Sequence, residues 1–136
     1  MKPYLVEELI MPDGAKIKSD PKIIREVIKP STSLLLKSML AMVVKEGHGK
    51  RAGVPGYTVC GKTGTAQVPK KEGKGYEEGI TIGSFVGFAP LGDPRFVMIT
   101  RIDNPKDVIW AESSAAPLFG KIAKFLLEYL EVPPER

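Results

Sequence analysis

Gly56-Tyr57-Thr58-Val59-Cys60-Gly61-Lys62-Thr63-Gly64-Thr65-Ala66-Gln67 is the stretch whose reading decides the fold. It satisfies G-x-x-x-x-G-K-T, the pattern of a phosphate-binding loop. It also reads as a strand presenting Lys-Thr-Gly-Thr at the edge of a cleft. A phosphate loop needs a buried strand leading in, small residues whose amides wrap the anion, and a helix starting at the Lys-Thr. Here the lead-in at 47–55 is rich in glycine, charge and proline, and Tyr57, Thr58, Val59 and Cys60 favour extended backbone. Gly64, Thr65 and then Pro69 follow, which oppose a helix. No acidic residue at the end of a following apolar strand is well placed to hold magnesium, Asp103 being the only candidate. The nucleotide-binding reading is therefore the distant one, testable by an ATP-dependent thermal shift.

As a strand, the segment sends Thr63 and Thr65 one way and Lys62 with Gly64 the other. Two hydroxyls on one side can bind a carboxylate laid along the strand. Gly64 leaves the surface bare, so that a peptide can approach the backbone and pair with it. Lys62 supplies positive charge that favours an anionic substrate and eases proton loss from a neighbouring hydroxyl. The Thr65 amide can donate to a developing oxyanion.

The flanks predict an α+β domain. Residues 1–30 are irregular, with a short strand expected at 4–6 and a turn at Pro12-Asp13-Gly14. Leu35, Leu36, Met39, Leu40, Val43 and Val44 repeat at helical spacing over 31–46, with Ser31 or Ser33 as cap and Gly47 and Gly49 as terminators. Strands are expected at 57–67, 80–89 and 95–103, the first two joined by a long, mobile connection at 68–79. Gly83 and Gly87 share one face of the second strand, which suits the close approach of a helix. A final helix over 113–130, capped by Ser113 or Ser114, carries Phe119, Ile122, Ala123, Leu126 and Leu130 in one stripe. The sum is an antiparallel three-stranded meander covered by helices.

Composition narrows the function. The 136 residues suffice for one domain with a real core. A net charge of +4 is scattered, apart from Lys50-Arg51 and Lys70-Lys71 with Lys74, so the basic residues read as solvated surface and not as a nucleic-acid face. One cysteine, Cys60, and one histidine, His48, exclude an internal disulfide and a zinc site of soft ligands. No cofactor or metal is expected. No apolar run nears the roughly 20 residues of a membrane span, and no signal peptide opens the chain, so this segment is expected to make no membrane contact. His48, between two glycines, reads as a solvated loop residue. Trp110 reads as packed before the last helix or partly exposed at its start.

The segment 56–67 resembles the corresponding stretch of high-molecular-weight class B penicillin-binding proteins. The handed-on order agrees: Ser84-Phe85-Val86-Gly87-Phe88-Ala89-Pro90, Asp93-Pro94, Ile102-Asp103-Asn104-Pro105 and Ala115-Ala116-Pro117-Leu118-Phe119. Lys2-Pro3-Tyr4-Leu5-Val6 and the helix from Ser31 are also similar to that family's transpeptidase domain. Lys-Thr-Gly is the third motif of the penicillin-recognising serine enzymes. The resemblance implies D,D-transpeptidation: a serine attacks the D-Ala-D-Ala end of a peptidoglycan stem peptide, releases D-alanine, and passes the acyl group to an amine on another strand. β-Lactams imitate that substrate. It further implies catalytic roles for Lys62 and Thr65, with Thr63, Gly64 and Thr65 binding substrate. The Thr63 and Thr65 hydroxyls would hold the carboxylate, and the Thr65 amide would form half of the oxyanion hole. Cys60 stands where the family usually has a small residue such as alanine, and reads as a buried structural thiol.

The family's nucleophile lies in Ser-x-x-Lys and its second motif is Ser-x-Asn, both well ahead of the Lys-Thr-Gly strand. Here Ser19-Asp20-Pro21-Lys22 is too near Lys62 and carries a proline, Ser33 is one residue out of step with Lys37, and no Ser-x-Asn occurs. The expectation is that 1–136 is the C-terminal segment of a transpeptidase domain and is inactive alone. Its partners would be a stem peptide or β-lactam and the N-terminal half of the domain. The parent protein would be membrane-anchored and work in the cell wall at the extracytoplasmic face. The rival reading is a non-catalytic binding or regulatory module derived from this domain; the reading frame upstream of Met1 discriminates the two.

Overall fold

Pro12-Asp13-Gly14 does make the first turn of the chain, and its position decides which residues pair. In the computed structural model, which describes residues 1–135, the turn joins β1 (Glu8–Ile10) to β2 (Lys16–Lys18) as an antiparallel hairpin. Asp13 Oδ1 accepts the Ala15 N–H at 2.9 Å, and Gly14 takes a φ of +83°. The strand expected at 4–6 does not form; the residues next to the turn pair instead. Residues 1–33 form one compact unit, with Leu9, Ile10, Ile17, Ile23 and Val27 all exposed.

The second unit, from Leu34 onward, holds the sheet. Helix α1 spans Pro30–Glu46, with proline at its first position, where a missing N–H costs nothing. Gly47 and Gly49 both donate to the Val43 carbonyl and close it as expected. Of its apolar stripe only Val44 is buried; Leu34, Leu35, Leu36, Met39 and Met42 are exposed. Helical spacing reports that a face is apolar, not what covers it.

Strands β3 (Cys60–Pro69), β4 (Tyr76–Ala89) and β5 (Phe96–Asp103) form the expected antiparallel meander in the order β3-β4-β5. Two boundaries differ from expectation. β3 starts at Cys60, because Gly56 at φ +84° turns the chain and Tyr57 is held by a bridge to Val54 and by its hydroxyl on the Val132 carbonyl at 2.7 Å. The connection is also shorter than 68–79, since Pro69 pairs with Tyr76 and Lys70 N–H bonds the Gly75 carbonyl. The extra residues of β4 form a bulge around Gly79, whose φ is +71°.

One sheet face is covered by helix α2 (Ala115–Tyr129). Thr81, Phe85, Ala89 and Thr100 turn toward it, and α2 supplies Ala115, Ala116, Phe119, Ala123 and Leu127, all fully buried. The Phe85 and Phe119 rings lie 4.7 Å apart. Room for them comes from Gly61 and Gly87, which pair directly across β3 and β4. A Cβ on Gly61 would come within 2.5 Å of the Phe85 ring, and one on Gly87 within 2.6 Å of the Cys60 carbonyl and 2.9 Å of Phe119. The expected approach of a helix to Gly83 and Gly87 is thus realised; a Cβ on Gly83 would meet Ser114 Oγ at 2.6 Å. Gly87→Ala should cost about 3 kcal/mol, because it must displace backbone as well as a ring. Urea unfolding followed by circular dichroism checks this.

Ser114 occupies the cap position of α2 without capping it; its hydroxyl donates to the Trp110 carbonyl at 3.1 Å. The helix is shorter than 113–130 because the turn at 111–114 is tied down by such bonds. Cys60 is fully buried, as expected of a structural thiol. Burial, with a smaller push from Glu135 and a counter-pull from Lys37, raises its pKa to about 11. Thiolate is therefore scarce at pH 8, and alkylation by iodoacetamide should be slow until urea unfolds the chain.

Candidate functional site

Gly61-Lys62-Thr63 lies inside a strand, with Gly61 opposite Gly87, Thr63 opposite Phe85 and Thr65 opposite Gly83. No helix starts at Lys62, so the phosphate-loop reading fails on geometry, and Gly61 answers to the aromatic core. Alternation works as expected from period two. Gly61 faces the aromatic core, so Thr63 and Thr65 share that side, toward the segment leading into α2.

Both hydroxyls are held as acceptors. Thr65 Oγ1 accepts the Ala111 N–H at 3.2 Å. Lys62 Nζ curls back over its own strand and donates to Thr63 Oγ1 at 3.2 Å and to the Thr63 carbonyl at 3.1 Å. A hydroxyl has one proton to give and two lone pairs. With a lone pair of each filled from within the protein, each O–H is left to donate outward. A pair of such donors beside an ammonium suits a carboxylate.

Gly64 lies on the opposite side, where a Cβ would come within 2.8 Å of Ser84 Oγ. The Ser84 hydroxyl donates to the Gly64 carbonyl at 3.3 Å. Packing against β4 is thus one reason for glycine at this position.

Lys62, Thr63 and Thr65 line one cavity of about 470 Å³ together with His48, Trp110 and Glu112. His48 Nδ1 and Glu112 Oε2 are 2.8 Å apart. Trp110 is 66% exposed, so the second of its two expected placements is the observed one. His48 is solvated, as expected, but it is not isolated from the site. Glu112 carried no signal in the sequence. Neither spacing nor residue type marks it, because only the folded chain brings residues 48, 62–65 and 110–112 together.

The profile of the Penicillin binding protein transpeptidase domain matches residues 1–124. The chain belongs to this family. Among transpeptidase-domain relatives, Stage V sporulation protein D of Bacillus subtilis is 43% identical over 98% of this chain and 21% of its own length. The Probable peptidoglycan D,D-transpeptidase PbpC of Pseudomonas aeruginosa is 37% identical over 82% of this chain and 20% of its own. The crystal structure of penicillin binding protein 3 from Mycobacterium tuberculosis, complexed with ampicillin, superposes with a TM-score of 0.82 at 34% identity, over 95% of this chain and 30% of that one. The mixed α+β architecture with its antiparallel sheet is that of the transpeptidase domains of penicillin-binding proteins. The chain spans about a fifth of the length of these curated relatives.

Proposed function

We propose that this chain supplies one wall of the cleft of a peptidoglycan D,D-transpeptidase, with β3 as the strand along which the substrate peptide or a β-lactam lies. The observation that carries this reading is the pair of Thr63 and Thr65 hydroxyls. Both line the Lys62 cavity, and both are committed inside the protein as acceptors and free to donate. In this role the two hydroxyls and the Lys62 ammonium hold the carboxylate of the ligand. The Thr65 amide takes the carbonyl oxygen as negative charge develops on it, and Gly64 allows the peptide backbone to lie close.

The nucleophilic serine and its base come from the N-terminal half of the domain, carrying Ser-x-x-Lys and Ser-x-Asn. Two exposed apolar surfaces of the second unit support such a neighbour. One is the sheet face opposite α2, with Val86, Val97 and Ile99; the other is the α1 face with Leu35, Met39 and Met42. Patches of this kind on a soluble domain mark a covered interface. No helix of the described residues is long and apolar enough to cross a membrane. In the proposed role the parent protein is membrane-anchored and works at the extracytoplasmic face.

Fluorescent penicillin tests the division of labour. The full-length protein should be labelled covalently, surviving a denaturing gel, and the isolated 136-residue chain should not be. Stoichiometric labelling of the isolated chain would overturn the reading, because it would place a nucleophile within these residues.

A further inference from the structure

The His48–Glu112 pair has no evident task in the fold. Its side chains are 82% and 40% exposed, and a polar contact so placed adds little stability. It nevertheless lines the same cavity as Lys62, Thr63 and Thr65. A carboxylate in a cavity shaped for a carboxylate ligand is an electrostatic conflict unless it serves a second group. Lys62 makes no ion pair with Glu112 among the described residues; its ammonium hydrogen-bonds Thr63 and keeps its charge for the ligand's carboxylate. His48 engages Glu112 Oε2, and no other hydrogen bond to that carboxylate occurs among the described residues. Trp110, two residues earlier, adds an exposed indole to the same lining. A carboxylate with a free oxygen, lining one cavity together with an indole, is the chemistry that receives an ammonium ion.

We propose that Glu112, oriented by His48 and assisted by Trp110, seats an ammonium group of the ligand in the cavity where Lys62, Thr63 and Thr65 take its carboxylate. The ligand class is a stem peptide or β-lactam that bears a free amine as well as that carboxylate. The inference rests on the transpeptidase reading of the site and adds a specificity determinant to it. His48 is a positioning residue, holding one carboxylate oxygen so that the other faces the cavity.

Ampicillin and benzylpenicillin differ by one ammonium on an otherwise identical side chain, so their relative acylation rates isolate the seat. In the full-length protein, Glu112→Gln should lower the ratio of the ampicillin rate constant to the benzylpenicillin rate constant about fivefold, and Trp110→Leu about threefold. Raising the salt should shrink the wild-type ratio in the same direction. Benzylpenicillin acylation of each variant reports that it is folded. A ratio unchanged in Glu112→Gln, with both rates measurable, overturns the ammonium seat and leaves the transpeptidase reading standing. Failure of the wild-type protein to be acylated by either drug defeats the transpeptidase reading, and the seat falls with it.

Discussion

Removing both hydroxyls with Thr63→Val and Thr65→Val should lower the rate of penicillin acylation of the full-length protein by about 10²–10⁴-fold. In the proposed role each hydroxyl hydrogen-bonds a charged carboxylate, and such bonds contribute about 1.5–3 kcal/mol apiece. Valine keeps the branched shape, so strand propensity and volume are preserved. Thr65→Val has a second effect, because the Ala111 N–H loses its acceptor. Thr65→Ser separates the two contributions; it restores the hydroxyl and should recover most of the rate. Stopped-flow acylation provides the measurement. A β-lactam whose carboxylate is esterified supplies the internal control, because it has no charge for these hydroxyls to hold and should be indifferent to their loss. Equal losses for the acid and its ester would contradict the assignment of Thr63 and Thr65 to the carboxylate.

Phe119→Ala should destabilise the domain by about 3–5 kcal/mol, a large share of the 5–15 kcal/mol that holds a typical domain together. Phe119 is fully buried, with its ring 4.7 Å from Phe85 and 6.4 Å from Phe96. The cavity left behind would lie over the slot that Gly61 and Gly87 open, so neighbouring atoms cannot collapse into it without moving β3. Phe119→Leu keeps part of the volume and should cost about half as much. Urea unfolding followed by circular dichroism gives both numbers. A cost below about 1 kcal/mol for the alanine variant would mean that α2 does not set the position of β3.

These two expectations concern the part of the molecule that the sequence made most legible. Strand alternation at Lys62-Thr63-Gly64-Thr65 follows from period two, and the glycines of β4 announce a helix at close range. What local pattern could not supply is the start of β3, which depends on a tyrosine hydroxyl reaching Val132, far along the chain. Nor could it shorten the β3–β4 connection, since the glycines that resemble a mobile loop in sequence include Gly79, which serves a bulge within β4. The apolar face of α1 was visible as helical spacing, but periodicity is blind to what lies opposite it. The site itself was half legible. The motif strand was visible, whereas His48 and Glu112 meet across 64 residues and share no spacing that a sequence could display.

The same division bears on Gly64. From sequence it reads as a bare surface for a peptide; in the structure its missing side chain also admits Ser84 of the neighbouring strand. Both reasons for glycine can hold at once, since one concerns backbone approach at the strand edge and the other the packing of β3 on β4.

In the proposed function everything turns on β3 being the substrate strand of a transpeptidase cleft. A crystal structure of the full-length protein acylated by benzylpenicillin tests it most directly. The drug should lie along β3, its carboxylate within hydrogen-bonding distance of the Thr63 and Thr65 hydroxyls and its carbonyl oxygen on the Thr65 amide. An acyl-enzyme whose carboxylate is held elsewhere, with both threonine hydroxyls free of it, would mean that β3 is not the substrate strand.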